Sequence, residues 1–265
     1  MESVIFEKDD QTSSTICIVE NLSEDLKEII RKQLSSICQG ATRGESGKKI
    51  YSYHNTLQEF LVRYDTKPDK IKKGIIGELI SHVLFIEFFN EFQIISPLFN
   101  MEERSIKKSF DLLLFHSSQE TLYYTEVKSG TAKSERSDDK NISLLGIAKS
   151  DIHQKLNDNN DNNWLNAING ATISLEKKNI KNEVTKILEN CLENSQDGNM
   201  ESKDKSVILV SVTYNSISDK ITLSRVTDYS TKNVKDFCRC IFFSIQNETY
   251  QSIEAFLRAE VANGN

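Results

Sequence analysis

Apolar and polar positions along this chain recur in two periods, and the switches between them lay out its elements. Residues 14–19 have strand character, and Ser23 then offers a cap to a helix in which Leu26, Ile29, Ile30, Leu34 and Ile37 recur at helical spacing. Residues 40–49 are polar and read as a loop, and a short helix over 57–64 is broken by Lys67-Pro68-Asp69. Residues 74–90 form the most apolar helix: Ile75, Ile76, Leu79, Ile80, Val83, Leu84 and Phe88 cover more than one face, which predicts burial. After a connecting strand or loop over 92–97, residues 107–115 and 121–128 read as two strands joined by the polar turn 116–120. The charged stretch 129–140 is expected to be a mobile loop, followed by a helix over 142–156. The asparagine-rich run 157–163 reads as an exposed linker to helices over 164–175 and 180–192. A polar spacer over 195–205 precedes a continuous apolar run over 207–214, fit for a buried strand. Further strands are expected over 221–226 and 238–245, with a closing helix over 249–261.

This order predicts an α/β fold, a mixed central sheet flanked by helices. It divides by texture into an N-terminal α/β extension over 1–69, a core over 70–156 and a region over 157–265. That last region holds a helical insertion and the strands and helix that complete the same fold. Composition narrows the setting. The chain has 265 residues, 27% of them charged and 38% hydrophobic, an ordinary balance for a globular protein with a sizeable core. Its net charge of −6 repels nucleic acid, so binding one would need a local basic patch or a partner that supplies it. Five cysteines (17, 38, 191, 238 and 240) show no C-x-x-C pair, which argues against zinc. The odd cysteine count and the absence of a signal peptide point to a reduced cytoplasm, and no apolar run approaches membrane-spanning length.

The candidate chemistry lies between two predicted strands. Asp111 opens the run Leu112, Leu113, Leu114, Phe115, and fifteen residues after it Glu126-Val127-Lys128 closes the run that starts at Leu122. Alternation sends Glu126 and Lys128 to one side of their strand and Val127 to the other. Asp111 and Glu126 are the expected metal ligands, because Mg²⁺ (or Mn²⁺ in its place) takes hard oxygen donors, usually one or two carboxylates with waters and phosphate. The Val127 carbonyl is a candidate further donor. Lys128 suits a role in positioning water and offsetting phosphate charge. The bland alternative is a turn aspartate and a solvated Glu–Lys pair, but both strands are too apolar for an exposed hairpin.

Glu78 is a lone acid within the most apolar helix, with Gly74 and His82 one turn to either side, and is a candidate third carboxylate. A surface Glu78–His82 pair is the alternative. Lys149, Ser150, His153 and Gln154 decorate the polar side of the helix over 142–156, and Lys67, Lys70, Lys72 and Lys73 form a basic cluster ahead of Glu78. Either set can meet a phosphate backbone or simply solvate a surface.

The series Glu78, Phe110-Asp111, Glu126-Val127-Lys128, in the order helix, strand, strand, helix, resembles the PD-(D/E)xK nuclease superfamily, with Phe110 where that family has proline. Lys-Lys-Gly-Ile-Ile-Gly-Glu-Leu-Ile-Ser-His, Glu-Val-Lys-Ser-Gly and Val-Ile-Leu-Val-Ser-Val-Thr-Tyr also resemble the HamA family, the nuclease-like effectors of Hachiman antiphage defence. The resemblance implies a restriction-endonuclease-like core with helical additions and nuclease roles for Glu78, Asp111, Glu126 and Lys128. It further implies a Mg²⁺-dependent deoxyribonuclease acting on DNA, held in a hetero-complex by a superfamily 2 helicase, HamB. A non-catalytic docking module and a stand-alone restriction endonuclease are the competing readings; the second expects a basic reading element, and none stands out.

Overall fold

The computed structural model describes residues 3–99 and 110–263. Strands β1 (Val4–Asp9) and β2 (Ser14–Val19) form an antiparallel hairpin. Strands β3 (Phe92–Ile94), β4 (Leu112–His116) and β5 (Thr121–Thr131) form an antiparallel meander. Strands β6 (Ser206–Tyr214) and β7 (Arg239–Asn247) join the two groups, running parallel to β5 on one side and β2 on the other. The result is one seven-stranded mixed sheet in the order β1-β2-β7-β6-β5-β4-β3. Strand β6, at its centre, is buried along its whole length, which explains its unbroken apolar run.

Helices cover both faces. One layer holds α1 (Glu24–Gln39), α3 (Tyr53–Asp65), α4 (Asp69–Phe88) and α9 (Tyr250–Asn263), with the short α2 (Ala41–Gly44) at the end of α1. Leu34, Phe60, Ile76, Leu79 and Ile253 pack there on Val127, Ile208, Val210 and Phe243. The other layer holds α5 (Ser137–Asn157), α6 (Asp161–Ser174), α7 (Lys178–Gln196) and α8 (Leu223–Asn233). Leu145, Ile152, Trp164, Leu188 and Val226 pack there on Leu113, Tyr124, Leu209 and Phe242. Tyr123 and Val127 of β5 therefore face α4, whereas Leu122, Tyr124, Glu126 and Lys128 face α5.

Several expectations are corrected. The stretch over 129–140 is a loop only over 132–136: β5 continues to Thr131 by pairing with β6, and α5 begins at Ser137. Its polar residues are engaged, Asp138 accepting from the Thr222 amide at 2.8 Å and the Ser137 amide donating to Asp219 at 2.7 Å. The strand expected over 221–226 is instead the approach to α8, because the inward positions Val226 and Ser230 are one helical turn apart. The asparagine run is mostly helix: α5 reaches Asn157, and Asn160 caps α6 by accepting from the Asn162 amide at 3.2 Å. The polar segment over 40–49 contains α2, and β1 was not anticipated. The strand expected over 107–115 begins at Leu112, while residues 107–109 lie outside the described residues. Among the described residues no helix is long and apolar enough to cross a membrane, and none of the five cysteines forms a disulfide.

Two packing points hold the layers in register. At Gly77 of α4 an added Cβ would stand 2.8 Å from the Ser129 Cβ, so this glycine lets the helix seat on β5. Gly77→Val is expected to cost about 1–3 kcal/mol, read as a lower urea midpoint. At Gly130 the nearest atom is the Cε of Lys140, a side chain that can swing away, with the Leu144 Cδ2 next at 3.3 Å, so Gly130→Ala should be milder. In the other layer the buried Asn141 of α5 donates to Ser244 Oγ at 3.0 Å and accepts from Ser211 Oγ at 2.5 Å. Asn141→Leu is expected to cost about 1–3 kcal/mol by leaving those hydroxyls short of a partner in the core.

Candidate active site

The site is assembled where β4 meets β5. Leu112 pairs with Thr125, so Asp111 lies one step further on, opposite Glu126. Asp111 Oδ2 accepts a hydrogen bond from the Val127 amide at 2.7 Å, which fixes the carboxylate against β5. Glu126 is only 1% exposed, and both of its oxygens are taken by ammonium groups. Lys128 Nζ is 2.6 Å from Oε1, and Lys155 Nζ is 2.6 Å from Oε2. Lys128 also lies 2.8 Å from Asp151 Oδ2. Asp151 and Lys155 stand one turn apart on α5, on its side toward β5. The cluster grades from the buried Glu126 outward, since Lys128 is 25%, Lys155 29% and Asp151 43% exposed.

Burial and the neighbouring negative charge of Asp111 push the Glu126 carboxyl up to about 7, against the opposing pull of Lys155 and Lys128. Burial disfavours the Lys128 ammonium, but the Glu126 charge and the bonds to Asp151 and Glu126 outweigh it and hold the group charged. Two lysines thus face the two carboxylates, yet burial keeps the Glu126 carboxyl above its ordinary range. Among the described residues no three His, Cys, Asp or Glu side chains form a metal-binding group. Asp111 and Glu126 are the two carboxylates brought together here, a pair of hard oxygens of the kind that fits Mg²⁺ when water, backbone or phosphate fills its other positions.

A raised carboxyl pKa has a definite sign in stability. The native state binds the proton more tightly than the unfolded chain, so this group's stabilisation is present at low pH and is lost as pH rises through about 7. Relative to Glu126→Gln, the wild type is expected to lose roughly 3 kcal/mol of unfolding free energy between about pH 4 and about pH 8. Urea unfolding of both proteins across that range measures it.

Glu78 comes from the other layer. It is half-buried on α4, beside Gly77 and one turn before the fully buried His82. Gly77 rests on Ser129, so this turn of α4 lies over the end of β5 beyond its pairing with β4, on the sheet face opposite to Glu126 and Lys128. Of the α5 residues singled out from sequence, Lys149 instead binds Asn233 at 3.0 Å and Asp236 at 2.6 Å. His153 meets Phe237 edge-on, and Ser150 and Gln154 are exposed. Ser150, His153 and Gln154 fit the solvated-face reading, and the α5 residues that join the cluster, Asp151 and Lys155, were not singled out from sequence. An acid and a base four residues apart, on the helix after the Glu-x-Lys strand, was the available signal. Lys72 and Lys73 lie over the rings of Tyr64 and Tyr250. Beneath the site Trp164 packs on Phe110 and Tyr124, centroids 5.4 and 5.6 Å away, forming an aromatic floor.

The HamA family matches residues 2–260, which takes in both layers, the whole sheet and every residue of this cluster. The chain belongs to the HamA family. Membership makes it an effector of Hachiman antiphage defence. No curated protein matches the chain. The segments that carried the resemblance sit around the cluster: the HamA-like Gly-Glu segment on α4, Glu-Val-Lys-Ser-Gly on β5 and the apolar strand β6.

Proposed function

We propose that this HamA chain is a metal-dependent deoxyribonuclease, the effector arm of its defence system, restrained by a superfamily 2 helicase partner. The observation that carries this reading is the buried Glu126 carboxylate beside Asp111, with Lys128 bound to it from the same face of β5. A solvated strand surface has no reason to bury a carboxylate at 1% exposure next to another acid.

In this mechanism Asp111 and Glu126 would hold Mg²⁺ or Mn²⁺, with Glu78 on α4 available to orient a water, and the metal would supply positive charge at the phosphate and an activated water. Asp111 is pre-set for its part by the Val127 amide. Lys128 is kept charged and oriented by Glu126 and Asp151, so its ammonium offsets the negative charge that builds on the phosphate as the bond breaks. The net charge of −6 fits a division of labour in which the partner provides most of the DNA affinity.

Phage challenge of cells carrying the chain with its helicase tests this reading. Lys128→Met and Asp111→Asn are expected to abolish protection while the proteins still accumulate and still bind the helicase. Full protection by both variants would replace the enzyme with a docking module. Protection by the wild-type chain without any helicase would favour an independent restriction enzyme.

A further inference from the structure

Lys155 stands out because the proposed reaction leaves it without a task. Its Nζ caps Glu126 Oε2 at 2.6 Å, while Lys128 caps Oε1 at the same distance. Both oxygens of a carboxylate assigned to metal binding are thus already occupied by cations. The two lysines are not equivalent. Lys128 is anchored twice, to Glu126 and to Asp151, and its stem is fixed in the pleat of β5. Lys155 has Glu126 as its one ionic partner among the described residues, is 29% exposed, and projects from α5 near that helix's end. A strongly hydrated ammonium on a flexible four-carbon stem is the more easily withdrawn of the two.

Resting on the metal-dependent reading, we propose that Lys155 is a built-in counter-ion, which a divalent cation displaces from Glu126 Oε2 when the site is charged with metal. The exchange has a clear electrostatic logic. Without metal, a carboxylate at 1% exposure beside Asp111 needs a compensating charge to stay ordered, and Lys155 supplies it. With metal, the single charge of the ammonium gives way to a double charge. Lys155 is therefore a positioning residue that keeps Glu126 in place and raises the metal concentration needed to fill the site.

Calorimetric titration of the full chain with Mn²⁺ alone tests this, with no DNA present. Lys155→Met is expected to bind Mn²⁺ about tenfold more tightly than the wild type, because the competitor is gone. Lys155→Arg, which can still cap the carboxylate, is expected to return to within a few-fold of the wild type. Glu126→Gln is expected to remove the binding. Unchanged or weaker Mn²⁺ affinity in Lys155→Met overturns the proposal, as does the absence of Mn²⁺ binding in every variant. Should Lys155→Met fail to fold, Lys155→Gln carries the same expectation. Tighter Mn²⁺ binding in the variant, with no DNA cleavage by any chain, would sink the nuclease reading and leave the displacement standing.

Discussion

Lys128→Met is expected to lower the rate of DNA cleavage about 10²- to 10³-fold, the usual penalty for removing one positioned charge donor from a reacting centre. The fold should survive the change. Asp151 is 43% exposed and can be solvated once its partner is gone, and Lys155 still caps Glu126. Single-turnover cleavage at saturating metal isolates the chemical step, and a circular dichroism melt of the same protein guards against simple unfolding. A rate within a few-fold of the wild type would remove Lys128 from the mechanism. It would leave the Glu126–Lys128–Asp151 chain as a structural ion network.

The second large effect is expected at Asp111, and two substitutions separate its roles. Asp111→Asn keeps an oxygen to accept from the Val127 amide but removes the charge, so Mn²⁺ affinity should fall on the order of 100-fold and cleavage with it. The same change should bring Glu126 back toward the ordinary carboxylate range, because Asp111 is the charge that pushes it up after burial. Above about pH 7 the variant should therefore be more stable than the wild type even as it loses function. Asp111→Ala also strands the Val127 amide and should forfeit that gain, at about 1–3 kcal/mol. Calorimetry with Mn²⁺ and urea unfolding at about pH 8 measure the two sides. Wild-type Mn²⁺ affinity in Asp111→Asn would exclude it as a ligand.

Much of this layout is legible in the sequence, for reasons that can be named. The residues over 14–19 and 207–214 are buried throughout, so their apolar runs had one reading, and Ser23 does cap α1, its Oγ accepting from Leu26. Asp111, Glu126 and Lys128 do come together, because period-2 alternation and an antiparallel pair fix which side chains meet. What stayed hidden depends on partners far along the chain. The polar residues 129–140 look like a loop until Asp138 finds Thr222 and Ser137 finds Asp219, more than 80 residues away. Lys155 and Asp151 are two among many charged helix residues until α5 is laid on β5, which no local pattern specifies. The helix over 223–233 shows the converse error, where a strand was expected over 221–226 and burial one turn apart decided for a helix.

The most direct measurement incubates an end-labelled DNA duplex with the purified chain, alone and with its helicase and ATP, with Mg²⁺, with Mn²⁺ and with chelator. Metal-dependent cutting by the wild type, absent with chelator and absent in Asp111→Asn, is the expected result. Intact duplex under every condition, from folded protein bound to its helicase, would contradict the nuclease account.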